Sequence, residues 1–196
     1  MRSKKLLLFI MFFICAFSSF AKTEHLKFMG IPITGSTIDI GKKLEEKGFV
    51  YKDVDVGSYN DSTKILEYEG IFTGRKVSLY VVSTYNIVWK IEVGYFDNNS
   101  FSELEQDYKV MVKQYSIKYG NEIEHYEVFT DAKNCLSDED KLRQLKQGQC
   151  SYFSCWHLEN GSIGIRIEFD ASLRISYEDA ENLRRTEAYS RIQDDI

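Results

Sequence analysis

The strongest constraint in this sequence is a two-residue alternation of apolar and polar side chains that recurs along much of its length. In "RKVSLYVVS", Val77, Leu79 and Val81 point one way, and in "NIVWKIEVGYF" so do Ile87, Trp89, Ile91, Val93 and Tyr95. "TKILEYEGIF" carries the same beat upstream. Successive side chains of a strand face opposite sides of its sheet, so the pattern predicts strands with one dry face and one wet face. Thr73-Gly74 and Thr84-Tyr85-Asn86 separate the runs as turns, which predicts an antiparallel meander. The beat returns in "CSYFSCWHLENGSIGIRIEFDASLRISYED", with Ile163, Ile165, Ile167 and Phe169 alternating and Asn160-Gly161 as a hairpin turn.

Helical periodicity fills the gaps. "GSTIDIGKKLEEKGF" predicts a short helix from Thr37 to Lys47, with Ser36 as N-cap, Asp39 at the third helical position and Gly48 as the stop. "NNSFSELEQDYKVMVKQYSIKYGN" predicts a longer one. Ser100 and Glu103 read as a capping box, and Phe101, Leu104, Tyr108, Met111, Val112, Tyr115 and Tyr119 form one stripe. "IEHYEVF" reads as a strand and "SDEDKLRQLKQG" as a short helix capped by Ser137. The tail has helix formers but a thin stripe of Ala180, Leu183, Ala188 and Ile192, which predicts a loosely docked helix.

The stretches "GRKVSLYVVSTYNIVWKIEVGYFD" and "GSIGIRIEFDASLRISYED" echo each other in pattern, not in residue identity. The expected architecture is α+β: two tandem helix-plus-antiparallel-meander units, residues 22–98 and 99–196, in one globular domain. The helices pack on one face of the sheet and a short helix ends the chain. The 13 Tyr and 13 Phe against a single Pro suit a strand-rich core rather than disorder.

The N-terminus, "MRSKKLLLFIMFFICAFSSFAK", has a basic head of Arg2, Lys4 and Lys5, an apolar run from Leu6 to Phe17, and small residues at Ser19 and Ala21. That grammar predicts a secretory signal over residues 1–21. Its apolar run of about 12 residues is short of the roughly 20 that span a bilayer. Retention as an anchor, or lipidation at Cys15, is the alternative, although Ile14 stands where lipidation wants a small residue. Cleavage after Ala21 predicts a periplasmic or secreted protein with no transmembrane segment. The formal net charge is −5, and the signal itself holds three cations and no acid, so the exported chain is more acidic still. An acidic chain is poorly suited to nucleic acid or to anionic lipid.

Export leads to an oxidising compartment, where disulfides persist. Cys135, Cys150 and Cys155 follow the signal. Cys135–Cys150 is the expected disulfide, closing a loop of about 15 residues worth roughly 3 kcal/mol in the chain-entropy model. Cys135–Cys155 is the alternative; Cys150 and Cys155 point to opposite faces of one strand.

The run "GIPITGSTIDIGKKLEEKGF", followed by strands and then "SELEQDYKVMVKQYSIKYG", resembles a group of small secreted proteins of unknown function common in gut anaerobes. The helix-then-meander repeat also resembles the β-lactamase-inhibitor-protein-like fold and is similar to outer-membrane-assembly lipoproteins of the SmpA/OmlA type. The motifs that carry the likeness are structural: Gly35-Ser36, Gly48-Phe49 and Tyr119-Gly120 start or stop helices. The resemblance implies a scaffold whose exposed sheet binds protein, and no catalytic residue.

Residue chemistry points the same way. Cys155 and His157 share a strand face, but a zinc site needs further ligands, with Cys135 the available third. A Cys–His nucleophile needs a group to orient the base, and none is marked nearby. Glu67 and Glu69 could act as acid and base on a glycosidic bond, or be a solvated strand face. Asp138, Glu139 and Asp140 suit the start of a helix. No phosphate loop, GxSxG or HExxH occurs, and no cofactor is implied.

The wet face of the sheet is expected to carry Glu67, Glu69, Tyr80, Lys90, Glu92, Phe153, His157, Arg166, Glu168 and Arg174. Tyr80, Lys90, Glu92, Phe153, His157, Arg166 and Arg174 form the candidate binding surface, because aromatic and arginine anchors among mixed charges are enriched at protein interfaces. Replacing Tyr80 and Arg174 together is expected to abolish binding without unfolding. The expected function is non-enzymatic binding of another envelope or extracellular protein, or assistance in envelope assembly. The alternatives are a carboxylate-dependent envelope hydrolase and a purely structural envelope component.

Overall fold

The structure, a computed structural model, describes residues 24–53, 62–98, 100–130 and 137–194. The elements run β1 (Lys27–Phe28), β2 (Ile31–Pro32), α1 (Thr37–Glu46), β3 (Val50–Lys52), β4 (Thr63–Phe72), β5 (Arg75–Thr84) and β6 (Ile87–Tyr95). They continue with α2 (Phe101–Tyr119), β7 (Glu124–Phe129), α3 (Asp138–Lys146), β8 (Cys150–Leu158), β9 (Gly161–Ile167), β10 (Leu173–Asp179) and α4 (Ala180–Asp194). This is the expected α+β class.

Eight strands form one antiparallel sheet in the order β3-β4-β5-β6-β10-β9-β8-β7. The two meanders meet at their last strands, with Ile175 of β10 opposite Val93 of β6. The alternation dictates the layers. Val77, Leu79, Val81, Ile91, Val93, Ile163, Ile165 and Ile175 face the core and are buried. Each such side chain contributes about 1.5–3 kcal/mol by leaving water.

The helices cover that face. In α1, Ser36 and Asp39 form the expected capping box, and Ile40 and Leu44 are buried. In α2, the Ser100 hydroxyl accepts from Glu103 N at 3.1 Å, and Phe101, Leu104, Tyr108, Met111 and Val112 are buried. Polar bonds fix α2 on the sheet. Tyr108 Oη meets Ser154 Oγ at 2.8 Å, Tyr152 Oη donates to Glu105 at 3.0 Å, and the Tyr115 and Tyr177 hydroxyls pair. Burial pushes the Tyr108 hydroxyl up to about 12.

Three expectations need correction. Trp89 does not share the buried side of Ile91. The β5–β6 register shifts after Val82, which pairs with Lys90, while Ser83 pairs with Val88. This bulge skips Trp89, puts Val88 in the core, and leaves the Trp89 indole donating to Thr84 Oγ1 at 3.1 Å. Phe169 does not continue the β9 alternation. The strand ends at Ile167, a turn closes with Glu168 N donating to Ser172 O, and Phe169 is exposed.

The third concerns α4, which docks through polar residues rather than the apolar stripe. Among its described side chains Asn182 and Thr186 are buried, while Ala188 is exposed. Asn182 Nδ2 donates to the carbonyls of Ile33 and Val88, both at 2.9 Å. Asp179, fully buried, caps the helix by accepting from Asn182 N at 2.9 Å. It also accepts from Leu26 N at 2.8 Å and meets His25 Nδ1 at 3.1 Å. No helix among the described residues is long and apolar enough to cross a membrane.

Candidate functional site

Among the described residues, no helix covers the opposite face of the sheet. Its side chains line up in rows through the register. One row runs Glu69, Ser78, Gly94, Arg174, Arg166, Phe153 and Tyr126, from β4 to β7. The next begins Lys52, Glu67, Tyr80 and Glu92 and continues through Ser176, Gly164 and Cys155. A third contains Val82, Lys90, Glu178, Ser162 and His157. Tyr80, Lys90, Glu92, Phe153, His157, Arg166 and Arg174 therefore all lie on this face.

Their chemistry is not uniform. Glu92 is only 7% exposed and sits at the centre of an ion network. Arg174 Nη1 reaches it at 3.0 Å, and Arg166 Nη2 and Lys90 Nζ each at 3.1 Å. Burial opposes ionisation of Glu92, but the three cations outweigh it and hold the carboxyl below its ordinary range. Arg174 also reaches Asp170 Oδ2 at 3.0 Å and donates to Ser172 Oγ at 2.9 Å. All its nitrogens are thus engaged. Lys90 bridges on to Glu178 at 3.2 Å, and Arg166 pairs with Glu168.

Above this charged floor stand aromatic rings. The Arg174 guanidinium lies 5.2 Å from the ring centroids of both Tyr80 and Phe96. Phe96 lies over Gly94, where a Cβ would stand 2.7 Å from the ring. Phe153 leans over Gly164 in the same way, with 3.4 Å from a Cβ to its ring, and stacks on Tyr126 at 6.4 Å between centroids. Phe96 and Tyr126 are half-exposed. Neither was marked as a site residue by sequence. The available signal was Gly94 inside "KIEVGYF", since a glycine within a strand often marks close approach of another group.

An open groove of about 400 Å³ adjoins Phe96, lined also by Glu69, Lys76, Val77, Ser78 and Asp97. Its two carboxylates are already engaged. Lys52 and Lys76 pair with Glu69, and Arg75 pairs with Asp97. The hydrogen bond from Arg75 is the main cause holding the Asp97 carboxyl below its ordinary range. Glu67 accepts from Ser78 Oγ at 2.8 Å. A general acid for glycoside hydrolysis needs a carboxyl whose proton is retained, which the Arg75 pairing opposes at Asp97.

The cysteine segment resolves into two environments. Cys155 is buried on the helix-free face, while His157 beside it is exposed. Burial, with Glu124 and Glu178 nearby, pushes the Cys155 thiol up, which disfavours the thiolate a nucleophile requires. Among the described residues, no group of three or more His, Cys, Asp or Glu side chains is arranged to hold a metal ion. No disulfide joins the described residues. The expected partner of Cys150, Cys135, lies outside them.

Comparison with protein-family models, with curated proteins and with solved structures returned no match.

Proposed function

We infer that the protein is an exported, non-enzymatic domain that binds another envelope or extracellular protein through the helix-free face. The observation carrying this reading is the pair of rings, Tyr80 and Phe96, each held 5.2 Å from the Arg174 guanidinium beside an open groove. Ring positions fixed before binding cost less to order in a complex, and aromatic side chains dominate interface energies. The engaged carboxylates of the groove favour binding over hydrolysis.

Export rests on the signal over residues 1–21. The strand order supports a repeat of two units, 22–98 and 99–196, because each contributes four consecutive strands and the two sets meet at their last members. That arrangement also supports the likeness to the β-lactamase-inhibitor-protein-like and SmpA/OmlA-type folds, whose sheets are surfaces for protein. The Cys135–Cys150 disulfide belongs to the same reading.

The experiment is capture of partners by the full-length tagged chain in its own cell after mild cross-linking. The control pairs Tyr80→Ala with Phe96→Ala. Arg174 is left intact, because its removal would strip Glu92 of a cation and confuse loss of binding with loss of folding. One envelope or extracellular protein enriched by the wild type and lost with the variant supports the reading. A partner retained by the variant, or none at all, overturns it.

A further inference from the structure

The sheet has two ends. β3 contributes only three residues, whereas β7 contributes six. Among the described residues, nothing pairs with the outer edge of β7. Tyr126 is 49% exposed and Val128 is 53% exposed. Edge strands are commonly guarded by lysine, proline or a bulge. The stretch 123–129, "IEHYEVF", has neither lysine nor proline, and its one irregularity, Ile123 N donating to Cys155 O while Glu124 pairs with Cys155, lies at its start.

The backbone fixes how this edge can pair. Phe129 lies opposite Cys150, so Thr130 lies opposite Gln149, and Thr130 N donates to Gln149 O at 2.8 Å. In an antiparallel ladder the hydrogen-bonding residues alternate. Glu124, Tyr126 and Val128 therefore bond inward to β8, and His125, Glu127 and Phe129 present their N–H and C=O groups outward.

We propose that β7 pairs antiparallel with β7 of a second copy about a twofold axis through Tyr126, joining two sheets into one. In that register the outward groups of His125 face those of the second copy's Glu127, so the hydrogen-bond phase is satisfied. The side chains match as well. Each His125 stands across from a Glu127, each Glu124 from a Val128, and Tyr126 from Tyr126. Centring the axis on Glu127 would instead oppose two glutamates, like charges that are unfavourable directly opposite, and centring it on His125 would lose the histidine–glutamate pairing. Tyr126 already stacks on Phe153, so the pairing builds a row of four rings across the junction. It also brings the two helix-free faces onto one side of a continuous sheet. The pairing does not depend on what binds that face.

The test is sedimentation of the protein expressed from its full-length gene, over a wide concentration range, with two variants. Glu127→Pro removes an outward N–H while leaving the bonds to β8 in place. Tyr126→Cys places two thiols at a non-hydrogen-bonded pair, where Cα atoms are about 4.5 Å apart and a disulfide can close. The expected result is a concentration-dependent dimer for the wild type, and a monomer with an unchanged circular dichroism spectrum for Glu127→Pro. Mild oxidation should convert most of Tyr126→Cys to a covalent dimer, against little for Val128→Cys. A wild type monomeric throughout, or a folded Glu127→Pro variant that dimerises like wild type, overturns the proposal. If Glu127→Pro fails to fold, the oxidation pattern decides: cross-linking at 126 no better than at 128 also overturns it.

Discussion

Arg174 Nη1 lies 3.0 Å from Glu92 Oε1 on the face of the sheet opposite the described helices, yet Glu92 is almost as enclosed as the core. With Arg166 and Lys90 also in contact, the folded carboxyl ionises below its ordinary range. A depressed carboxyl stabilises the fold at pH values above its unfolded value, about 4.3, and that contribution is lost as pH falls through the folded value. Denaturant midpoints measured against pH should therefore drop on the acid side for the wild type. Glu92→Gln should be less stable near neutrality, by about 2–4 kcal/mol, and have a shallower acid limb. Parallel acid limbs in the two proteins would show that Glu92 does not carry the dependence.

Arg174 serves three acceptors, on Glu92, Asp170 and Ser172, with three different nitrogens. Arg174→Ala leaves two carboxylates short of a partner and is expected to cost about 2–4 kcal/mol in urea unfolding. Arg174→Lys should recover little, because an ammonium cannot reproduce the planar fork. Phe96→Ala, which removes a half-exposed ring, should cost under about 1 kcal/mol. Equal losses for Arg174→Ala and Phe96→Ala would mean the network is not a structural support.

Much of this was legible beforehand because it rests on local period and local caps. Ser36, Ser100 and Ser137 each stand as the N-cap that the sequence predicts. The wet-face residues from Glu67 to Arg174 share a face because alternation alone assigns them. What was illegible depends on neighbours remote in sequence. The bulge that exchanges Trp89 for Val88 is set by the pairing of β5 with β6. The helix α4 looked poorly anchored because Asn182 reads as a surface residue until the carbonyls of Ile33 and Val88 stand within 2.9 Å of it. At the candidate site, burial of Glu92 follows from three cations supplied by strands 6, 9 and 10 together.

The anchoring of α4 is open to test. Asn182→Leu keeps the volume but leaves the Ile33 and Val88 carbonyls without this donor. The loss should be about 2–3 kcal/mol, as buried unsatisfied groups carry a full desolvation cost. Asp179→Ala removes the acceptor of Leu26 N and Asn182 N together and should cost at least as much. Hydrogen exchange locates the effect: amides of α4 and of residues 24–33 should lose protection before those of β5 and β6. Uniform loss across the sheet would argue against a locally docked helix.

Gly94 links the fold to the candidate site most directly. A Cβ there would meet the Phe96 ring at 2.7 Å, but the neighbour is a half-exposed side chain that can swing away. Gly94→Ala should therefore change stability by less than about 1 kcal/mol, with some compensation from restricting the unfolded chain. Its consequence should appear at Arg174. The guanidinium protons now lie near two rings, so their resonances carry ring shifts from Tyr80 and Phe96. In Gly94→Ala the Phe96 contribution should vanish and that of Tyr80 remain, matching the spectrum of Phe96→Ala. Partner capture should weaken in both variants alike. Unchanged Arg174 resonances in Gly94→Ala would mean that the ring does not need the empty glycine position, and that the pre-set pair of rings is not what the face offers a partner.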